Sequence, residues 1–573
     1  MRFSVAFVIL GMLVSAVMYD RLVSVPQTET ETEGAIVTPS ITDPARLEAA
    51  WYCPVGSSSA AGYAEHTVIV SNLGEDSAAV SVSTMTGEGR GPSLQLDVAP
   101  FTTEKIPLSQ VTESPVAGAA LAVIGGDAVV SHQVVTTEGT AEGPCATHVS
   151  DTWYFASGRT TRDSSEVVAL MNPFPEDVVF NMQLHRPAGR PRLPSDLQGA
   201  VVPAHSVRLV HVEDYLSREE DVAAVISTVT GRLVAERLQI MTGDLGPQGA
   251  ALQLGTPNAT DSWMLVAGRI HEEGSDRVIV FNPNEEETAT VNIDLWPLNA
   301  TDRSLYGLVS IPRELLPGRF EVIDLNIEAS RFGLILPYEV GISVSSTNGV
   351  SMVAERWQFA SKTNDGLLAG TGIVAPADPN AEGGNAAGAE VAASGEDPEG
   401  AEDATSDSEN AAAEDGEGSV ATDGVGSAEA AEVGDLDIPG IFGGVAQELQ
   451  QPTADKGIAT SRGTERQSNR WIVPWVPTPN SRSSTIVVSS LHTPETEVEV
   501  YTIASGALQG PFQATVEAGG RVNVPLPQSS AGTPVLVIAN APISVEAHVV
   551  DAGVRQAIIP GIPTISRFGD GTP

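Results

Sequence analysis

The chain has 573 residues, with 30 Lys and Arg against 73 Asp and Glu and a net charge near −43. That acidic excess argues against nucleic acid as a partner and against an anionic membrane surface, because both repel a negative protein. No CxxC spacing accompanies the two cysteines, so they do not resemble a redox pair.

The chain opens with Arg2 and then Phe3 to Tyr19, a run of seventeen residues without a charge. As a helix this run spans roughly 25 Å, near the low end for a bilayer crossing. The preceding Arg2 favours a single-pass anchor with the N-terminus inside. A cleavable signal peptide ending near Val14-Ser15-Ala16 is the alternative. Both place the bulk of the chain outside the cytoplasmic membrane. Residues 1–21 are therefore read as anchor or signal, and 22–47 as a linker.

A Trp-led strand then opens each of four segments: Trp51-Tyr52-Cys53, Trp153-Tyr154-Phe155, Trp263-Met264-Leu265 and Trp471-Ile472-Val473. In each copy an apolar run ends in a turn: Val68 to Asn72, Val167 to Asn172, Val278 to Asn282 and Ile486 to Ser490. Two of these turns are Asn-Pro, a dipeptide that leaves the α region. A strand of period two follows, then a turn at Ala99-Pro100, Pro203-Ala204-His205, Pro317-Gly318 or Ala518-Gly519. The last strand reads Val130-Ser131-His132-Gln133, Val234-Ala235-Glu236-Arg237, Val353-Ala354-Glu355-Arg356 and Val545-Glu546-Ala547-His548.

A unit of roughly a hundred residues with about seven short strands is the signature of an antiparallel β-sandwich. The fold class expected is all-β, with tandem immunoglobulin-like sandwiches at 48–150, 151–260, 261–374 and 468–573. A propeller is the runner-up, disfavoured because its blades are about half as long. Cys53 and Cys145 lie near opposite ends of the first unit, and an oxidising compartment would join them in a disulfide.

Between the third and fourth units, at 375–467, Ala, Gly, Glu, Asp and Ser dominate. Nineteen acidic residues and no Lys or Arg lie between Asp378 and Glu448. Such a stretch buries too little apolar area to offset its ordering entropy, so it reads as a disordered tether carrying the fourth unit. It holds an apolar island at 436–445, a docking patch or a short recognition motif.

Catalytic motifs are missing from the sequence: there is no G-x-S-x-G, no Walker loop and no H-E-x-x-H, and His271-Glu272-Glu273 lacks a second His one turn on. No catalytic, cofactor-binding or metal-binding residue is assigned. His132 and His548 are read as sharing one repeat slot with Arg237 and Arg356, a structural polar position. Adjacent residues on a strand point to opposite faces, so Glu236-Arg237 and Glu355-Arg356 should each meet cross-strand partners rather than each other. Trp51, Trp153, Trp263 and Trp471 are read as core residues. The alternative is a sugar-stacking platform, with Trp296, Trp357 and Trp475 as further members. Acidic groups such as Glu219-Glu220-Asp221 and Glu285-Glu286-Glu287 lack the repeated spacing of calcium junctions.

The uncharged N-terminus, the Trp51-Tyr52-Cys53-Pro54 opening, the later Pro144-Cys145 and the Ala-Glu-Arg last strands resemble an actinobacterial family of unknown function. Its members are membrane-anchored extracytoplasmic proteins. The resemblance covers most of the chain outside the acidic segment and implies no catalytic residues. Some members are labelled macroglobulin-like, but a thioester trap needs Cys-x-Glu-Gln, which neither Cys53-Pro54 nor Cys145-Ala146 supplies.

The functional expectation is a non-enzymatic, membrane-anchored envelope protein, a modular scaffold or recognition protein for an envelope protein or polysaccharide. It needs no cofactor. A carbohydrate-binding surface protein and a hydrolase with an unrecognised site are the alternatives.

Overall fold

The computed structural model describes residues 48–359 and 458–563, a few short internal stretches excepted. The N-terminal run 1–47, the acidic segment 360–457 with its island, the His271-Glu272-Glu273 triplet and Trp475 lie outside the described residues. No helix among the described residues is long and apolar enough to cross a membrane.

The first sandwich consists of β1 (Glu48–Cys53), β2 (Glu65–Asn72), β3 (Ala78–Thr86), β4 (Gly89–Val98), β5 (Thr102–Pro107), β6 (Ala117–Ile124), β7 (Ala128–Val135) and β8 (Thr140–Pro144). They form two four-stranded antiparallel sheets, ordered β1-β6-β3-β4 and β5-β2-β7-β8. In β3, Val80 and Val82 point to the core while Ser81 and Ser83 stay half-exposed, the alternation of a strand wet on one face. In β2, by contrast, Val68, Ile69 and Val70 are all buried. A strand covered on both faces reads as a continuous apolar run, and the cover on its outer face is another sandwich.

The same eight-strand order recurs in all four units. The third adds a short strand, Arg269–Ile270, and the fourth fuses its sixth and seventh strands into Val535–Asp551 and adds Ile562–Pro563 beside its first. The shared frame thus has eight strand positions rather than about seven. The order also corrects the immunoglobulin-like expectation. In immunoglobulin domains the first and second strands share a sheet, whereas here they lie in opposite sheets.

Repeat-specific side chains hold the turns. Asn72 Nδ2 donates to the carbonyls of Asp76 (2.7 Å) and Val98 (3.1 Å), while its Oδ1 accepts from the Gly74 N–H. Asn172 and Asn282 make the same three bonds in their own units. The turn before each fifth strand needs one residue in the left-handed region, filled by Phe101, His205, Gly318 and Gly519 with φ of 51–64°. The indole N–H of Trp153, Trp263 and Trp471 donates to the carbonyls of Leu233, Met352 and Ile543 at 2.8–2.9 Å. All four repeat-opening Trp residues are at most 1% exposed, so they are core residues and present no stacking platform.

Consecutive sandwiches pack head to tail. The sheet holding the first strand of one unit lies on the sheet holding the second strand of the next. Tyr154, Ala223 and Val225 of the second unit thus meet Ile279, Phe281 and Val353 of the third. Met264 and Val266 of the third meet Val487 of the fourth. Ile472, Ile503 and Leu536 of the fourth join Val129 of the first. The eighth strands (Thr140–Pro144, Gln248–Leu254, Ile458–Arg462 and Gln556–Pro560) pack in cyclic succession, the last against the first. Repeated head-to-tail contacts close a ring when the rotation per unit divides the circle, and here four sandwiches close one.

Ile458–Arg462 corrects the expected role of the acidic segment. This strand pairs with Val353–Phe359, with Phe359 opposite Ile458, and completes the third sandwich. The tether expected over 375–467 therefore ends before Ile458. The segment 360–457 leaves and re-enters one hairpin of the third sandwich. The fourth sandwich follows a short connection from Arg462 to Ser468.

The Cys53–Cys145 disulfide joins β1 to the chain just past β8, across the two sheets and a sequence separation of 92 residues. Replacing both cysteines with Ser should lower the stability of the first sandwich by about 4–5 kcal/mol on the loop-entropy model. Calorimetry of the two proteins under non-reducing conditions measures the difference.

Candidate functional site

The described ionisable side chains with the deepest burial sit at the joints between sandwiches. The pairing of second and seventh strands defines equivalent slots. Val68, Val168, Val278 and Ile486 lie opposite His132, Arg237, Arg356 and Ala547. One residue on, Ile69, Ala169, Ile279 and Val487 lie opposite Ser131, Glu236, Glu355 and Glu546. His548 is therefore one position out of the slot shared by His132, Arg237 and Arg356, which Ala547 fills instead. The fused strand removes the turn that would have marked this register in the sequence.

Adjacent residues on a strand face opposite ways, and here the two faces belong to different joints. Glu236 points back into the first sandwich, where Oε2 accepts from the Val55 N–H at 3.2 Å. Its Oε1 lies 2.8 Å from His132 Nε2. His132 Nδ1 is 3.0 Å from His66 Nε2, and His66 Nδ1 is 2.8 Å from the Ala117 carbonyl. The carbonyl can only accept, so His66 carries its proton on Nδ1 and His132 donates to it. The remaining proton lies between His132 and Glu236. Burial first, and the neighbouring His132 second, push His66 down to about 3.

The second joint repeats this plan with other chemistry. Glu355 accepts from the backbone N–H of Ala156 (2.9 Å) and Ser157 (3.1 Å), and from the Ser157 hydroxyl. Arg237 lies 3.4 Å from Glu355 and donates to Gln253 at 2.9 Å. Its guanidinium stacks between Phe155 and Trp357. In the second-strand slot stands Glu166, fully buried against Gly158, where a Cβ would come within 2.4 Å of its carboxylate oxygens. Burial pushes Glu166 up to about 8; Arg237 pulls it down, and Glu213 and Glu355 push it up.

At the third joint Arg356 pairs with Asp276 of its own sandwich, and Glu546 accepts from the hydroxyl of Ser461. Arg521 of the fourth sandwich donates to the Val340 carbonyl of the third at 3.0 Å. Arg237 does meet a cross-strand partner in Gln253, and Arg356 a diagonal one in Asp276. The glutamates Glu236 and Glu355 instead find theirs in the preceding sandwich. The second-strand slot (His66, Glu166, Asp276, Ser484) was passed over in the sequence. Its signal was a polar residue six positions before the turn residue Asn72, Asn172, Asn282 or Ser490.

Away from the joints, an open groove of about 360 Å³ crosses the fourth sandwich, lined by Glu497, Glu499, Gln513, Thr515 and Asn540 among others. Trp357 is buried in the second joint, and Trp296 donates to Ser343 Oγ at 2.7 Å.

Residues 116–304 match a family of unknown function, DUF5719. The DUF5719 match runs from the end of the first sandwich into the third and takes in His132, Glu166, Glu236 and Arg237. No curated protein matches the chain. Among solved structures, the α-L-rhamnosidase of Streptomyces avermitilis complexed with L-rhamnose aligns at 10% identity, over 55% of this chain and 46% of that one. Its TM-score of 0.11 carries no argument about fold or function.

Removing one member of a buried charged pair leaves the other uncompensated, at about 3–5 kcal/mol. Glu355→Ala should therefore destabilise the protein by that amount, and Glu355→Gln, which keeps one acceptor, by less; urea unfolding measures both. Two pH effects follow from the joints. His66 is held neutral in the fold, so its contribution is complete above pH 6.5 and is lost as pH falls towards 3. Glu166 is held protonated, so its contribution is complete below pH 4.5 and is lost as pH rises towards 8. Glu166→Gln should flatten the stability profile between pH 5 and 8, in unfolding curves recorded across that range.

Proposed function

We propose that the protein is a non-enzymatic extracytoplasmic scaffold or recognition protein, held at the cytoplasmic membrane by its N-terminal run and presenting a rigid ring of sandwiches to an envelope protein. One observation carries this reading: the joint ionisable groups, which elsewhere would be candidates for chemistry, are buried between sandwiches and spent on holding them together. The disulfide fits an oxidising, extracytoplasmic setting.

Recognition should lie where the copies differ. The first two sandwiches follow the fifth strand with a three-residue turn, Leu108–Gln110 and Val212–Asp214. The third instead carries α1 (Leu325–Phe332). Asp324 caps α1 by accepting from the N–H groups of Asn326 and Ile327, and Gly333 ends it in the left-handed region. Ile327 and Phe332 of α1 and the following Ile335 are left at 56%, 45% and 74% exposure. Exposed large apolar side chains close together in the chain make this the region to test for a contact surface.

The full chain with Ile327→Asp and Phe332→Asp should keep its melting temperature and lose the envelope protein that the wild type retains in a crosslinked membrane extract. Unchanged retention removes this reading. Retention of purified envelope polysaccharide would favour the carbohydrate-binding alternative, and turnover of a glycoside or peptide substrate the hydrolase. Deleting residues 2–21 should move the protein from the washed membrane fraction to the soluble one. If it stays with the membrane, the anchor is not the N-terminal run.

A further inference from the structure

The four joints of the ring are not alike. In three of them a Glu of one sandwich (Glu236, Glu355, Glu546) faces back towards a slot filled by His132, Arg237 or Arg356 in the sandwich before. At the joint that closes the ring, both slots change together. The first sandwich offers Ser131 in place of Glu, and the fourth offers Ala547 in place of the cation. The second-strand slot of the fourth sandwich changes too, from His66, Glu166 and Asp276 to Ser484. Among the described residues, this joint is held by apolar contact from Ile472, Ile503 and Leu536, by Gln556–Pro560 packed on Thr140–Pro144, and by a bond of 3.4 Å from Ser71 Oγ to the Pro474 carbonyl.

We infer that the ring opens at the joint between the fourth and first sandwiches, and that its neutral slots are what make it the opening joint. Two physical reasons converge. Short connections, such as Pro144 to Thr152 and Arg462 to Ser468, cross the other three joints and return a separated pair at high effective concentration. The described chain makes no such crossing between the fourth and first sandwiches. Buried polar partners also fix register, because a misplaced charge is left without its mate. The described slots of the closing joint hold Ser131, Ala547 and Ser484, so these positions can part and rejoin without stranding a charge. The same neutrality sets the order of the ring. A face bearing Glu236 or Glu355 set on Ala547 would bury a carboxylate without a cation, so the face with Ser131 is the one the fourth sandwich accepts.

Ser71 and Ser489 provide matched reporters. Both precede the turn residue of a second strand, both are at most 1% exposed, and each faces the preceding sandwich, Ser71 at the closing joint and Ser489 at the third. In the full chain under native, non-reducing conditions, a thiol at Ser71→Cys should react with a maleimide or disulfide reagent at least about tenfold faster than one at Ser489→Cys, the behaviour of a local opening. Ser131→Glu should speed labelling at Ser71→Cys further, and Ala547→Arg in the same chain should reverse that gain. Equal rates at the two thiols, or a faster rate at 489, overturn the inference. So does a Ser131→Glu effect that Ala547→Arg leaves in place, or one that appears equally at 489 and so reports general unfolding.

Discussion

The arrangement depends on one repeated interaction, a glutamate on the seventh strand of a sandwich whose carboxylate is used by the sandwich before it. Glu236 accepts one backbone N–H group, and Glu355 two, from the loop that follows the preceding unit's Trp-led strand. Those N–H groups lie past the end of a strand and have no ladder partner, and a buried donor left unmade is costly. The Glu355 carboxylate satisfies two at once and Glu236 one, and each brings a charge that must itself be met. His132 and Arg237 meet it. At the first two joints the carboxylate's partners thus come from the preceding sandwich, so neither unit makes these bonds alone.

The joints solve the same constraint with different groups. In the first, two imidazoles pass a hydrogen-bonded chain to a backbone carbonyl, and their burial keeps His66 neutral. In the second, one guanidinium reaches Glu355, and burial keeps Glu166 in its protonated form. In the third, the arginine is held by Asp276 of its own sandwich. Because the chemistry differs at constant geometry, each face suits one neighbour. This accounts for four nearly identical folds stacking in a fixed order rather than at random.

Closing the ring alters how the acidic segment must be understood. With its ends paired at Phe359 and Ile458, it is an insertion in one hairpin and does not separate the fourth sandwich from the rest. The features that distinguish one copy from another are the disulfide of the first, the helix and insertion of the third, and the fused strand of the fourth.

The sequence by itself determined the number of units, their β character and the core. Those are local matters: period-two alternation, buried Trp residues and turn residues leave their mark within a few positions. It also placed the cysteine pair, since both thiols lie in one unit. The cover on the outer face of each second strand was written as an unbroken apolar run, Val68-Ile69-Val70, but its neighbour was not. Only the tertiary structure decided the strand order, the eighth strand at Ile458–Arg462, and the ring. Strand order depends on pairing between segments far apart in sequence, and a strand beyond ninety-eight acidic, Ala- and Gly-rich positions carries no periodic signal linking it back to Phe359. The roles of Glu236 and Arg237 were hidden for a related reason. Their strand faces could be read from spacing, but their partners belong to different sandwiches, and nothing local in a chain records which surface will be folded against it.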